Sequence, residues 1–329
     1  MSARRLGLLA AMVTMLAGCS GSHETIIRTA DGVELTADDI DRDPMALLPG
    51  GMVGLAYVDA QKLFTSQFGD KLLNLVQRLA PLPSSTGFEP RRDLQRLYLG
   101  LYSMQGIDVA GVAVGTFDQE AIARAAERSD RTLQGIPIVK STYAERTLYT
   151  AQNLGFVVLT AKTALFGNET GIRRALDRID EARVQKQVPP WVADLLETPN
   201  ASMVAALNLR AQPMTEAAQK NLPFLNGMES VRLLGNFEPP GVNFAGTAAY
   251  QDEAAAQRGE AAMRDTHASL QTLGYFSAWV GLPQPVKRLE TQSEGDEVKF
   301  VVGIDAQAMG TLLDFAANAL PAPTAPAGG

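Results

Sequence analysis

The stretch "MVGLAYVDAQ" at residues 52–61 decides the fold prediction, because a similar stretch, "MVAALNLRAQ", recurs at residues 203–212. Both have Met, Val, Ala and Gln at matching positions. Each reads as a short apolar strand that leads into a helix. One such unit at the start of each half of the body indicates that the chain is built twice on one plan.

The elements that follow these stretches come in the same order in both halves: strand, helix, strands, helix, hairpin and helix. In the first half, the strands "LQRLYLGLY" and "VAGVAVGTF" lead into a helix and a meander over residues 135–167. In the second half, a hairpin turns at Glu294-Gly295-Asp296, and Asp305 caps a last helix. This order predicts an α+β fold of two similar antiparallel-sheet modules, each with helices packed on one face, as a possible internal duplication.

The amino terminus has the pattern of a targeting segment. Arg4 and Arg5 give it a positive start, residues 6–16 are an apolar run, and the small residues Ala17 and Gly18 precede Cys19, the one cysteine in the chain. The run is roughly half the length of about 20 apolar residues that a membrane span needs. The pattern therefore predicts a cleaved signal peptide over residues 1–18.

The four residues Leu16-Ala17-Gly18-Cys19 resemble the lipobox of bacterial lipoprotein precursors. The resemblance implies that a diacylglycerol is attached to the thiol of Cys19, that the preceding peptide is removed, and that the new amino group is acylated. Several acyl chains on one residue hold a protein at a bilayer almost permanently. Ser20, where an aspartate would favour the inner membrane in this family, implies the outer membrane of a cell envelope, with the body in the periplasm or at the cell surface.

The predicted organisation has six parts. They are a signal peptide (1–18), a tether with a small hairpin at Asp31-Gly32 and an acidic loop (19–49), a first α+β module (50–185), a linker (186–200), a second α+β module (201–320) and a flexible tail (321–329).

The composition excludes some partners. The chain has 29 Lys and Arg against 36 Asp and Glu, a net charge of −7, and no basic run in the body longer than two residues. Nucleic acid is therefore not an expected partner. Cys19 is the only cysteine and there are two histidines, so cysteine-based metal sites are excluded, histidine-rich ones are not expected, and no cofactor is predicted.

One acidic stretch is a weak metal candidate. Asp39, Asp41 and Asp43 alternate as the first, third and fifth ligands of a calcium loop do. The sixth position, which needs glycine, is Pro44, and the twelfth, which needs glutamate, is Gly50. A solvated acidic loop is the alternative.

No catalytic constellation is evident. Asp265, His267 and Ser269 are close in sequence, but residues two apart on a helix point in different directions and cannot form one relay. We therefore predict that the protein is not an enzyme.

The sequence leaves three functions open. The first is a lipid-anchored, non-catalytic binding or scaffold module that meets other envelope proteins. The second is a periplasmic carrier of an apolar ligand or lipid, since "VAGVAVGTF" and "FVVLTAKTALF" could line a cavity, although a dry core uses the same residues. An enzyme is the third and least favoured.

Overall fold

The computed structural model describes residues 27–29, 31–79, 86–106, 108–128, 131–132, 136–196, 198, 201–278 and 284–319. The predicted signal peptide, with Leu16, Ala17 and Gly18 of the lipobox, lies outside the described residues, as do Cys19 and the tail 321–329. Within the described ranges, none of the helices combines the length and the apolar character that crossing a bilayer requires.

The fold is mixed α and β, and its centre is one antiparallel sheet of twelve strands. A separate hairpin, β1 (Ile27–Arg28) with β2 (Glu34–Leu35), turns at Asp31-Gly32, and Gly32 has a φ of 77°. In chain order the strands of the large sheet are β3 (Gly54–Asp59), β4 (Leu94–Ser103), β5 (Asp108–Gly115), β6 (Val139–Tyr143), β7 (Arg146–Ala151), β8 (Leu154–Val158), β9 (Thr163–Asn168), β10 (Met203–Asn208), β11 (Met228–Asn236), β12 (Gly241–Tyr250), β13 (Val286–Glu294) and β14 (Glu297–Asp305).

Helices connect and cover these strands. The described α-helices are α1 (Ala37–Arg42), α2 (Ala60–Thr65), α3 (Gly69–Leu79), α4 (Pro90–Asp93), α5 (Gln119–Arg128), α6 (Glu169–Asp180), α7 (Pro190–Leu196), α8 (Glu216–Asn221), α9 (Glu253–Ala278) and α10 (Ala306–Ala319). Two 3₁₀ turns, Pro44–Leu47 and Pro223–Leu225, add to them.

The strands of the two halves form one continuous sheet. The order across it is β13-β14-β12-β11-β10-β3-β4-β5-β9-β8-β7-β6, so β3 and β10 pair at the junction. The sequence predicts two separate sheets, and a single sheet is found instead. The reason is that both quoted stretches are strands with apolar side chains on both faces, and pairing them leaves neither as an open edge.

Helices cover both faces of the sheet in the first half, so the prediction of helices on one face is wrong there. Successive residues of β5 point to opposite faces. Val112 packs in one core cluster with Ile172 of α6, whereas Ala113 packs in another with Phe64 of α2. We call these two sides of the whole sheet the Val112 face and the Ala113 face. After Asp108, strand β5 has only apolar residues, as is typical of a strand that is covered on both sides.

The core of the second half lies between the sheet and helix α9. Ala248 of β12 and Val298 of β14 are fully buried there, together with Ala256 of α9. Helix α9 comes close to the sheet at Gly259, where an added Cβ would be 2.3 Å from the ring of Tyr250. The small residues that the sequence places on this helix thus allow the close approach.

The segment predicted as a tether belongs to the body from its hairpin onward. Ile27, Ile40, Leu47 and Leu48 are buried in the same core cluster as Val112. Packing on the sheet removes these apolar side chains from water, whereas a solvated tether would leave them exposed. The described part of the segment predicted as a tether over 19–49 therefore packs with the body from Ile27 onward.

Arg178 of α6 joins this amino-terminal segment to the linker. Its guanidinium donates hydrogen bonds to the carbonyl oxygens of Ala46 (3.3 Å) and Gln185 (2.8 Å), and to Oε1 of Gln187 (3.0 Å). The side chain is 5% exposed, and its desolvation lowers the pKa of the guanidinium from its ordinary value. Helix α7 lies within the predicted linker, and its Val192 is buried.

The helical segment that follows the stretch at residues 52–61 is divided into α2 and α3. The break falls between Thr65 and Gly69, and an added Cβ on Gly69, the first residue of α3, would lie 1.9 Å from the carbonyl oxygen of Phe64. The break lets Phe64 and Phe68 both be buried.

Candidate functional site

The three carboxylates of the weak metal candidate serve three different structural purposes. Asp39 forms a capping box with Thr36 at the start of α1, and the hydrogen bond from the backbone N–H of Thr36 holds the pKa of Asp39 below its usual range. Asp43 accepts a hydrogen bond from the backbone N–H of Met45 at the start of a 3₁₀ turn.

Asp41, the middle member, points to the β8–β9 turn. Its Oδ1 accepts hydrogen bonds from the hydroxyl groups of Thr160 and Thr163, both at 2.6 Å. All three carboxylates thus accept hydrogen bonds from protein groups, and the described part of the chain contains no group of three His, Cys, Asp or Glu side chains arranged for a metal ion.

His267 does not form a relay with its sequence neighbours. Its Nε2 lies 3.4 Å from the carbonyl oxygen of Val286 and 3.3 Å from Nε2 of Gln271. Asp265 and Ser269 are exposed on the same helix. The geometry of the helix thus keeps the three side chains apart.

The described surface instead has two apolar cavities. The first lies in the first half, on the Ala113 face, and has a volume of about 370 Å³. It is lined by strands β4, β5, β8 and β9 and by helices α3 and α5, through residues such as Val76, Leu97, Ala113, Ile122, Val158 and Phe166. Phe88 and Phe117 form part of the wall, stacked with ring centroids 5.8 Å apart.

The second cavity lies between the sheet of the second half and helix α9, and has a volume of about 380 Å³. Strands β11, β13 and β14, helix α9 and the 3₁₀ turn at Pro223–Leu225 contribute to it, through residues such as Phe224, Val231, Met263, Leu270, Leu289 and Val302. Thr266 and His267 are the two polar residues among the described residues that line it.

Both cavities are on the same face of the continuous sheet. Residues directly opposite in neighbouring strands point to the same side. The pairing leads from one cavity to the other through Ala113, Leu97, Val58, Met203, Gly235, Phe244 and Val302. The cavities therefore share the Ala113 face.

The Val112 face differs between the halves. In the first half it is covered by α6, α7 and the amino-terminal segment. In the second half it bears an open groove of about 630 Å³, with Arg232, Thr247 and Lys299 opposite one another on neighbouring strands. Arg232 pairs with Glu297 at 3.8 Å, so the groove carries both signs of charge.

The linings of the two cavities are almost entirely hydrocarbon. No Asp, Glu, Lys or Arg is among the described residues that line either one. Such a lining gives a buried polar group no partner, whereas it stabilises buried apolar surface by about 25 cal/mol per Å². Volumes of this size lie within the range of about 300–1,000 Å³ typical of small-molecule sites.

The first cavity includes residues of both stretches that the sequence analysis singled out. Val109, Ala113 and Phe117 come from "VAGVAVGTF", and Phe156 and Phe166 from "FVVLTAKTALF". Sequence reasoning missed the second cavity. Its lining comes from separated segments over residues 222–231, 263–270 and 286–302, and no single segment looks unlike ordinary core.

Comparison with known proteins gives a match at the level of fold. No protein-family model and no curated protein matches the sequence. Crystal form I of TP0453 is similar over 83% of this chain and 97% of its own, with a TM-score of 0.51 and 9% identity. Crystal forms III and IV of TP0453 give TM-scores of 0.47 and 0.46, each with 10% identity. The chain therefore shares a mixed α and β fold with TP0453.

Proposed function

We propose that this protein is a lipid-anchored protein of the cell envelope that binds and carries an apolar ligand, such as a lipid, without catalysis. The observation that carries the proposal is the pair of apolar cavities on the Ala113 face, with hydrocarbon linings and no charged residue among those described. A dry core of the same residues would leave no such space, because protein interiors are close-packed.

The anchor is the second part of the proposal. It rests on Leu16, Ala17, Gly18 and Cys19, with the outer membrane as the proposed location. Only seven residues separate Cys19 from Ile27, the first buried residue among those described. A fully extended chain spans at most about 3.5 Å per residue, so the acyl chains would hold the body within about 30 Å of the bilayer.

We also propose that the two halves arose by internal duplication. Outward from the junction, the strand order is β3-β4-β5-β9-β8 in the first half and β10-β11-β12-β14-β13 in the second. Strands β6 and β7 are an additional hairpin of the first half. A shared order of this kind fits a repeated unit better than chance matches of short Ala-rich stretches do.

The register at the junction supports the same proposal. Aligning the two quoted stretches makes Leu55 and Ala206 equivalent, and these two residues are opposite each other. On one side of that pair, Gly54 lies opposite Leu207. On the other side, their equivalents Ala205 and Ala56 lie opposite each other. This is the relation that a local two-fold axis between equivalent strands requires.

The experiment that tests ligand binding is native mass spectrometry of the full chain with Cys19→Ser, purified from cells without added lipid. We expect the protein to carry additional non-covalent mass that organic solvent extracts as lipid. A denaturing spectrum of the same sample should show the bare polypeptide, which separates carried ligand from covalent modification. A native mass equal to that of the polypeptide would contradict the proposal.

A binding scaffold is the second candidate function. The observation that favours it is the open groove on the Val112 face of the second half, with Arg232, Thr247 and Lys299 accessible. The same purification distinguishes the two functions, since a scaffold would co-purify with envelope proteins and would carry no lipid.

A further inference from the structure

We infer that each half of the protein holds one hydrocarbon chain, so that one molecule has two separate and similar lipid-chain sites. The inference rests on the proposed function and extends it by assigning the ligand class and the number of sites. It follows from the size, lining and placement of the two cavities.

The ligand class follows from the lining. Each cavity is formed by aliphatic and aromatic side chains, and Thr266 and His267 of the second cavity are already engaged with protein groups. An ionised or strongly polar group would lose its hydration there without gaining a partner. A hydrocarbon chain has no such penalty, and the polar end of the same molecule would stay in water.

The similar capacity of the cavities supports two equal sites. Their volumes are about 370 and 380 Å³. Both lie between the sheet and the helix that follows the third strand of the half, α5 in one case and α9 in the other. Both are bounded on another side by the second element of the connection between the first and second strands, which is α3 in one half and the turn at Pro223–Leu225 in the other.

The spacing of the sheet separates the two sites. Strands β5 and β12, the third strand of each half, are five strand spacings apart. At about 4.8 Å per spacing, this places the two cavities on the order of 24 Å from each other. The intervening strands on the same face contribute Val58 and Met203, and neither residue lines a cavity.

The test fills each cavity in turn with the same substitution. Val158→Trp fills the first cavity and Val231→Trp fills the second, since each valine lines one cavity and not the other. Val139→Trp is the matched control, because Val139 lies on the edge strand β6 with 59% of its surface exposed. All three changes are made in the full chain with Cys19→Ser, and circular dichroism checks that each variant is folded.

The probe is palmitic acid. Delipidated protein is titrated with this probe, and native mass spectrometry counts the bound molecules. We expect two bound molecules in the protein with Val139 changed, one in each single cavity variant, and none in the double variant. If a tryptophan variant does not fold, Val158→Phe or Val231→Phe replaces it, with an expected loss of affinity of at least tenfold at that site alone.

Two results would overturn the inference while leaving the proposed function standing. One is saturation at a single bound molecule, and the other is the loss of all binding in either single variant, since both describe one shared site. Absence of any bound palmitic acid in the control, under conditions where the control is folded, would overturn the proposed function and this inference together.

Discussion

Leu55 of β3 and Ala206 of β10 lie directly opposite each other at the junction of the two halves, and both are buried in one core cluster. This contact joins residues that are far apart in sequence. It makes the two halves parts of one sheet, so a change at the junction affects both.

Replacing Leu55 by alanine should lower the free energy of unfolding by about 2–4 kcal/mol, because the side chain is 2% exposed and its removal leaves a cavity. Urea unfolding measures the change. Leu312→Ala is the control, since Leu312 is 58% exposed and its loss should cost less than about 0.5 kcal/mol. Equal effects of the two changes would show that the junction is not packed as described.

Asp41→Ala should also destabilise the fold, by about 1–3 kcal/mol, because two buried threonine hydroxyl groups lose their charged acceptor. Thermal unfolding checks this against Asp38→Ala, an exposed carboxylate on the same helix. Added calcium should leave the midpoint of the unchanged protein where it is. An unfolding midpoint that rises with calcium concentration would instead support a calcium site at Asp39, Asp41 and Asp43.

Two glycines in helices should respond oppositely to alanine. Gly259→Ala places a Cβ 2.3 Å from the buried ring of Tyr250, and overpacking of this kind costs about 1–3 kcal/mol. Gly310→Ala meets the flexible end of Lys71 at 3.0 Å, so the helix-propensity gain of about 1 kcal/mol should dominate. Denaturant midpoints that move in the same direction would contradict the close approach of α9.

Asp93 should make stability depend on acid pH. Two hydrogen bonds from the guanidinium of Arg92 and one from the backbone N–H of Glu89, all at 2.7 Å, hold the pKa of Asp93 below its usual range. A carboxylate whose pKa is lower in the folded state stabilises the fold above its unfolded pKa, and this contribution is lost as pH falls through the folded pKa.

Asp93→Asn should therefore reduce the free energy of unfolding near neutral pH, and the difference from the unchanged protein should shrink below about pH 4. Urea unfolding across that range measures it. Asp70→Asn is the control, because its side chain is 89% exposed. A difference that is constant with pH would mean that the charge of Asp93 does not contribute.

Cys19→Ser should abolish both membrane fractionation and processing of the precursor, since the thiol is the proposed site of lipid attachment. Fractionation and intact mass of the cellular protein measure the two effects. Ser20→Ala is the matched control and should leave both unchanged. Wild-type fractionation and processing in the serine variant would remove the basis for the envelope location.

Much of the local structure could be predicted from sequence. Alternating apolar residues marked the strands, Asp31-Gly32 and Gly295 marked turns, and Asp305 marked the start of α10, where its carboxylate accepts the hydrogen bond from the backbone N–H of Ala308. These features depend on neighbours in sequence, which is why periodicity and capping reveal them.

The long-range features could not be predicted from local sequence patterns. The pairing of β3 with β10 and the packing of Ile40 and Leu47 against the sheet depend on residues more than a hundred positions away or on shape complementarity. One signal was available: the uninterrupted apolar run in β5 is typical of a strand covered on both faces. The cavities depend on how far helices stand from the sheet, which no single segment encodes.

The symmetric register at the β3–β10 junction has a consequence for how such a molecule could have begun. A polypeptide that ended near residue 185 would carry β3 as a bare edge, centred on Leu55. Two copies could join edge to edge about a two-fold axis, as an isologous homodimer. Fusing the copies into one polypeptide replaces concentration-dependent assembly by an intramolecular partner that is always present. Under the proposed duplication, fusion would also free each half to diverge, and the equivalent positions 55 and 206 hold different residues, Leu55 and Ala206.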